Sequence, residues 1–288
     1  MLGLGTGFYG MSKSGAGFNE SIIVEMAPRA ALFIPSGASE AAVAGHYKPG
    51  GVVMNNSFQN IIRTSFTFCC WIMIPGGTSI ANGDITLLGS TGNSQDIFQL
   101  GFVNSKPIII MESGANGFEQ TTDLAVEFIS DTGWVHVAFV VTDAGGSHNT
   151  TVVIYVNGSV VDLATPDSTI TGTQQEAIAT TNNMGLGNMA NVNEFDFANS
   201  NKPALGMSEA ALFTSALDAD NIAAIYGFGT AARDGGAGAD LTSASGDYDT
   251  QGDLAGYWKL NQASRVEAAD STSAAEFLGT LKGAAIIF

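Results

Sequence analysis

Two cysteines, seven prolines and ten basic residues are all that this 288-residue chain holds of those residue types, and each shortage excludes something. Cys69 and Cys70 are neighbours inside an apolar run. Adjacent residues of a strand point to opposite faces, so the two cannot bridge each other and no disulfide is expected. That usage suits folding in a reducing cytosol. The ten Lys and Arg stand against 27 Asp and Glu, giving a net charge of −17. Such a surface repels phosphates and anionic headgroups, which argues against nucleic-acid binding. No apolar run approaches the ~20 residues of a membrane-spanning helix. The opening M-L-G-L-G-T-G-F-Y-G has neither the basic region nor the unbroken apolar stretch of a secretory signal, so neither export nor membrane insertion is expected. Without export, the N-x-S/T sequons at Asn19, Asn55, Asn149 and Asn157 read as chance. A phosphate loop, a nucleophile elbow, a dinucleotide fingerprint and a basic-aromatic strip are also missing.

What the chain does hold is 36 glycines and 45% hydrophobic residues, a composition suited to short strands joined by tight turns. The stretch from Trp134 to Asp162 organises it. W-V-H-V-A-F-V-V-T, a polar turn D-A-G-G-S-H-N, T-T-V-V-I-Y-V, Asn157-Gly158 and S-V-V-D predict a three-stranded antiparallel meander, its Asn-Gly pair suited to a type I′ turn. On the first strand Trp134, His136, Ala138 and Val140 share one face and Val135, Val137, Phe139 and Val141 the other. Both faces are largely apolar, which places the strand inside a sheet covered on both sides.

Further strands are expected at F-T-F-C-C-W-I-M-I (ended by Pro75), I-T-L-L-G-S from Ile85, D-I-F-Q-L-G-F-V from Asp96, K-P-I-I-I-M-E from Lys106, M-G-L-G-N-M from Met184 and L-G-M-S-E-A-A-L-F from Leu205. Evenly spaced strands of this kind predict an all-β, antiparallel two-sheet sandwich of the jelly-roll type. Pro166 to Asn183 reads as a polar loop. One short helix follows the Leu205 strand: Asp218 caps it, Ile222, Ile225 and Tyr226 share a face, and Gly227 suits a left-handed stop. Gly229 to Gly252 reads as a loop, and pattern returns at L-A-G-Y-W-K-L-N and in the terminal G-A-A-I-I-F. Residues 1–50 hold short apolar patches at Ile22 to Val24 and Ala30 to Ile34, too few for a core of their own. They read as an extended N-terminal arm that adds one or two strands to the main body or to a neighbour, or as a flexible leader. The expected organisation is an arm over 1–50, a jelly roll over 51–229, and a loop with completing C-terminal strands over 230–288.

F-T-F-C-C-W-I, I-T-L-L-G-S, G-W-V-H-V-A-F-V-V-T with V-V-I-Y-V-N-G-S-V-V, M-G-L-G, and M-S-E-A-A-L-F-T-S-A-L-D-A-D-N-I-A-A-I-Y together resemble a laminin G-like domain of the concanavalin A-like lectin/glucanase superfamily, over Val52 to Gly229. The resemblance implies a two-sheet jelly roll. It departs in one respect: L-A-G-Y-W-K-L-N-Q-A-S-R-V-E-A-A-D-S and G-T-L-K-G resemble the piece that usually opens such a domain, yet here they follow the helix. Similar trailing Y-W segments occur in laminin G-like proteins of tailed bacteriophages. This implies a non-enzymatic structural protein of a virion (capsid decoration, fibre or tail-associated), assembled in the host cytoplasm and partnered by its own copies and other virion proteins. The alternative is an adhesin that binds host-surface glycans.

The superfamily's glucanases carry a Glu-x-Asp-x-x-Glu strand with its carboxylates on one face. In N-E-F-D-F-A-N here, Glu194 and Asp196 are in phase, but Asn199 holds the acid's position and an amide cannot serve as a general acid. No catalytic residue is therefore expected. Laminin G-like domains often hold calcium at one rim, which the resemblance carries to Asp143 and Asp196 as the nearest candidates, although such a site needs six or more oxygens. No other cofactor is implied. His46, His136 and His148 lack metal-ligand spacing, and His136 belongs to the strand pattern, so it is expected as a packed core imidazole. Trp71, Trp134 and Trp258 sit in apolar strands and are expected to pack rather than to stack on sugars.

Overall fold

The structure is a computed structural model that describes residues 32–34, 51–54, 58–73, 84–91, 96–103, 106–113, 116–121, 134–143, 150–161, 183–190, 205–233, 240–260, 267–268, 270–272, 279–282 and 286–287. In chain order the elements are β1 (Leu32–Ile34), β2 (Gly51–Met54), α1 (Gln59–Ile62), β3 (Phe66–Met73), β4 (Asp84–Thr91), β5 (Asp96–Val103), β6 (Lys106–Ser113), β7 (Asn116–Thr121), β8 (Val135–Asp143), β9 (Thr150–Val156) and β10 (Ser159–Val161). They continue with β11 (Gly185–Leu186), β12 (Met189–Ala190), β13 (Leu205–Phe213), α2 (Ala219–Arg233), β14 (Leu254–Trp258), β15 (Glu267–Ala268), β16 (Gly279–Lys282) and β17 (Ile286–Ile287).

The strands form two sheets, as the alternation predicted. The first runs β10-β9-β8-β3-β13-β1-β17, with β14 also on β13; the second runs β15-β16-β2-β11-β4-β5-β6-β7, with β12 also on β4. Pairing is antiparallel throughout these ladders except for the two-residue β12–β4 bridge, which is parallel. The meander lies where the Trp134 to Asp162 pattern put it, and β8 is interior between β9 and β3. Its Asn157-Gly158 turn has φ of 50° and 75°, the two positive values a type I′ turn requires.

Residues of β8 divide between two cores as their alternation demands. Val135, Val137, Phe139 and Val141 join the sandwich interior with Phe66, Phe68, Phe98 and Leu100, and Phe66 and Phe98 bring the sheets into ring contact at 6.0 Å. Ala138 and Val140 face outward, into a second cluster formed with Leu217, Ile222 and Ile225 around α2 and with Leu241 and Tyr248 beyond it. The second sheet bends at β4, where the register shifts between Thr86 and Leu88. A Cβ on Gly101, opposite that bulge, would stand 1.9 Å from the Ile85 carbonyl oxygen, so the position admits only glycine.

Chain ends close the first sheet out of sequence order. One flank of β13 takes β1 along Leu205 to Met207 and β14 along Ala210 to Phe213. In β14, Tyr257 turns to the outer cluster and Trp258 to the interior. Within the expected arm only Leu32–Ile34 is described, and it pairs with this chain's own β13 and β17; residues 1–31 and 35–50 lie outside the described residues.

Two expectations are corrected. The helix does not stop at Gly227 but runs fifteen residues to Arg233, so Gly229 opens no loop. Nothing approaches within 4 Å of a Cβ built on Gly227, which faces open space inside the helix, while Gly229 packs its bare backbone on the Trp71 indole, 2.2 Å from where its Cβ would be. Glycine here serves contact, not termination. The stretch before Gly252 also has local order: a 240–250 turn region with a Ser245–Tyr248 bridge, then a 3₁₀ turn at Gln251–Asp253.

Candidate functional site

The outer face of the first sheet collects most of the polar chemistry seen among the described residues. Helix α2 is fixed there at its start. Asp218 Oδ1 accepts hydrogen bonds from the Asn221 N–H and the Asn221 side-chain amide, both at 2.9 Å, the N-cap arrangement expected of Asp218. Those bonds hold the Asp218 carboxyl below its usual range. Asn221 is buried and also bridges to the chain beyond the helix: its amide oxygen accepts from the Thr250 hydroxyl at 2.9 Å and the Asp249 N–H at 3.2 Å. Thr67 of β3 ties the entry to the sheet, donating to the Ser215 carbonyl and accepting from the Leu217 N–H.

A second group stands where β13 meets β14. On the other flank of β13, the β3 ladder shifts register between Ser208 and Ala211, and Glu209 there adopts φ of 51°, a left-handed conformation uncommon for a residue with a Cβ. Its carboxylate accepts a hydrogen bond from the Tyr257 hydroxyl. Lys259 lies 5.5 Å from the Tyr257 ring centroid and pairs with Asp240 at 2.6 Å. Burial, followed by the Glu209 charge, pushes the Tyr257 hydroxyl well up, and burial with the same charge pushes the Cys69 thiol up to about 12. Burial would raise the Asp240 carboxyl, but hydrogen bonds from Lys259 and Thr242 outweigh it and hold the group low. The cluster keeps phenol and thiol protonated and spends its carboxylates on internal hydrogen bonds. That arrangement fixes β14 in place rather than generating a nucleophile.

The third group is aromatic. Trp71 of β3 stacks on Tyr226 of α2 at 5.6 Å with planes 20° apart, and His136, directly opposite Trp71 in the β3–β8 ladder, contacts both rings at 5.3 and 6.1 Å. The β9–β10 turn closes the same patch, since a Cβ on Gly158 would lie 2.9 Å from the Tyr226 ring. His136 is buried, as its place in the strand pattern predicted, yet neither ring nitrogen has a hydrogen-bond partner. Burial alone drives its pKa down to about 3.

Of the predicted site residues, Asp143 is half-buried at the end of β8, where its N–H donates to the Ser65 hydroxyl at 3.0 Å. Among the described residues no group of three or more His, Cys, Asp or Glu stands together. Asp196, Glu194 and Asn199 lie outside the described residues, as do His46, His148 and the polar stretch from Pro166 to residue 182. Trp71 and Trp258 are packed as expected, whereas Trp134 is partly exposed, with its ring edge 3.4 Å from a Cβ built on Gly206. Cys69 and Cys70 are free and buried on opposite faces.

Sequence reasoning passed over Glu209 and Asn221. Glu209 sits in an unbroken strand pattern, and glutamate carries no signal for a left-handed bulge. Asn221 was legible in part, being the third residue after a capping aspartate.

A family model described as the concanavalin A-like lectin/glucanases superfamily matches residues 50–223. No curated protein matches the chain. Among solved structures, a Bacteroides ovatus protein described as carbohydrate binding matches at 17% identity and a TM-score of 0.49, over 90% of this chain and 59% of its own. A botulinum neurotoxin type C structure, concerned with ganglioside-dependent cell entry, matches at 16% identity and a TM-score of 0.44, over 68% of this chain and 42% of its own. The binding domain of Paraclostridial Mosquitocidal Protein 1 matches at 13% identity and a TM-score of 0.42, over 67% of this chain and 47% of its own. This chain therefore spans less than two thirds of each of these structures.

Proposed function

The chain belongs to the concanavalin A-like lectin/glucanases superfamily, and on that premise we propose that it is a non-enzymatic structural subunit of a bacteriophage virion, a capsid decoration, fibre or tail-associated protein. The observation that carries this reading is the placement of the trailing Y-W strand. The segment that resembles the trailing piece of tailed-phage laminin G-like proteins packs as β14 on β13, with Tyr257 in one core and Trp258 in the other. The non-enzymatic part rests on Asn199 standing where the glucanase strand needs its acid, and on the protonated, internally bonded groups of the outer face. Of the arm over 1–50, Leu32–Ile34 pairs within this chain's own sheet, and the residues before it then serve as an assembly arm toward other copies or other virion proteins.

Mass spectrometry of purified particles from the source, together with light scattering of the isolated protein over a concentration series, tests the reading. The chain is expected in the particle and is expected to assemble with concentration. Deleting Met1 to Phe18 should leave a cooperative fold that no longer incorporates. A chain missing from the particle, or a truncated protein that incorporates as before, would contradict it. Glu194→Gln and Asp196→Asn should leave function unchanged, and β-glucan hydrolysis lost in either variant would overturn the non-enzymatic assignment.

The partly exposed Trp134 favours a second reading, a glycan-binding adhesin that stacks a sugar on this ring. Saccharide binding by the isolated monomer on a glycan array, abolished by Trp134→Ala, would establish it in place of the structural role.

A further inference from the structure

His136 holds two polar nitrogens in a place built for none. It lies mid-sheet, with its backbone tied to Asn157 at the β9–β10 turn: its carbonyl accepts from the Asn157 N–H at 2.8 Å and its own N–H donates to the Asn157 side-chain oxygen at 3.0 Å. Its ring faces Trp71 from β3 and Tyr226 from α2, and neither nitrogen is hydrogen-bonded. Among the described residues the titratable group whose ring faces it is the Tyr226 phenol, and burial lowers its pKa. A neutral imidazole tolerates that site. An imidazolium there would be an unpaired buried charge, which must either lose its proton or reach water.

Of the two rings that face His136, Tyr226 is the one that can move without dismantling the sandwich. Trp71 and His136 belong to β3 and β8, whose opposite faces build the interior, whereas Tyr226 belongs to α2. The helix contacts the sheet through the smaller outer cluster, and Gly227 and Gly229 weaken it internally. We propose that His136 is an acid-sensitive latch: taking up a proton, it drives α2 away from the first sheet and uncovers the apolar outer surface around Ala138, Val140 and Phe213.

The direction follows from linkage. With α2 released, the imidazole takes a proton at its ordinary 6.5; docked, it resists protonation down to about 3. Docking is therefore at full strength above 6.5, weakens progressively as pH falls through the window between these values, and loses no more below 3. At pH 4.5 the docked-to-released ratio is expected to fall about a hundredfold relative to neutral pH, from the two-unit distance to 6.5.

Hydrogen exchange of the full chain, corrected for intrinsic pH dependence and read by segment, tests this. In the wild type, α2 amides should lose protection by about a hundredfold between neutral pH and pH 4.5, with β5 and β6 unchanged. In His136→Phe, which carries the same carboxylates without the imidazole, that loss should be absent. Protection of α2 that holds in the wild type, or falls equally in the variant, would overturn the proposal. Should the variant fail to fold, NMR titration of the wild-type histidines decides: the latch predicts one imidazole that stays neutral to pH 4.5 while docked and titrates only in the released population. An imidazole set that titrates wholly near 6.5 with α2 still protected would overturn it.

Discussion

The sandwich interior and the layer beneath α2 share the first sheet yet are built on different terms. Between the sheets, side chains of β3, β5, β6 and β8 interdigitate as apolar residues from alternating positions, and the core coheres through burial. On the outer face the apolar cluster is smaller and is stitched by polar ties: Asn221 across two segments, the Tyr248 hydroxyl to the Leu241 carbonyl at 2.6 Å, and Tyr257 to Glu209. One side of the sheet is held by area, the other by particular residues. A fold held by particular residues can be released at one of them, and His136 is a position in the outer layer whose ring has no compensating bond.

Breaking the interior should have the largest effect. Phe139→Ala, which empties a fully buried ring position, is expected to cost about 3–5 kcal/mol in denaturant unfolding and to shift every probe together. Ile222→Ala, equally buried but on the helix, should cost about 2–4 kcal/mol when read on α2 and less on the sandwich. Equal, coincident losses in both variants would merge the two regions into one cooperative unit.

The helix glycines sharpen the comparison further because the same substitution should change sign. Gly229→Ala drives a methyl into the Trp71 indole and is expected to destabilise by about 1–3 kcal/mol. Gly227→Ala, with nothing near its new Cβ, should stabilise by up to about 1 kcal/mol through helix propensity. Thermal unfolding of both variants checks the pair, and a stabilising Gly229→Ala would remove the packed contact from the account.

The polar ties come next. Asn221→Ala strips a buried amide from between Asp218, Asp249 and Thr250 and should cost about 1–3 kcal/mol, read by helical circular dichroism. Asp218→Ala should cost about 1 kcal/mol at neutral pH. Since the Asn221 bonds hold the Asp218 carboxyl below its usual 3.8, this contribution is present above that value and is lost as pH falls through the lowered one. Smallest of all, His136→Phe should lie within about 1 kcal/mol of wild type at neutral pH, because it replaces two unpaired nitrogens by ring carbon of similar shape.

How far the sequence was legible follows the same division. The interior was readable because alternation reports it directly: β8 presents Val135, Val137, Phe139 and Val141 to one side, and the Asn157-Gly158 turn sets the register of its neighbours. The membership of β14 was readable through resemblance. The outer layer was legible only at the Asp218 cap and the Ile222 and Ile225 face of α2, since its other determinants are contacts between residues far apart in the chain. Gly229 reads as the start of a loop in isolation and is a close approach to Trp71 in the fold. The six-residue β7, the single turn of α1 and the bulge at Glu209 carry no periodic signal long enough to read. For the candidate site, His136 was read correctly as packed, but pattern alone could not show that it packs without a partner.

Native-state hydrogen exchange at neutral pH, resolved along the chain, tests the separation of the two regions most directly. The account predicts that amides of β3, β5 and β8 exchange only through global unfolding, while those of α2 from Ile222 onward exchange through a smaller opening with weaker dependence on denaturant. Identical protection and identical denaturant dependence in α2 and β8 would contradict it.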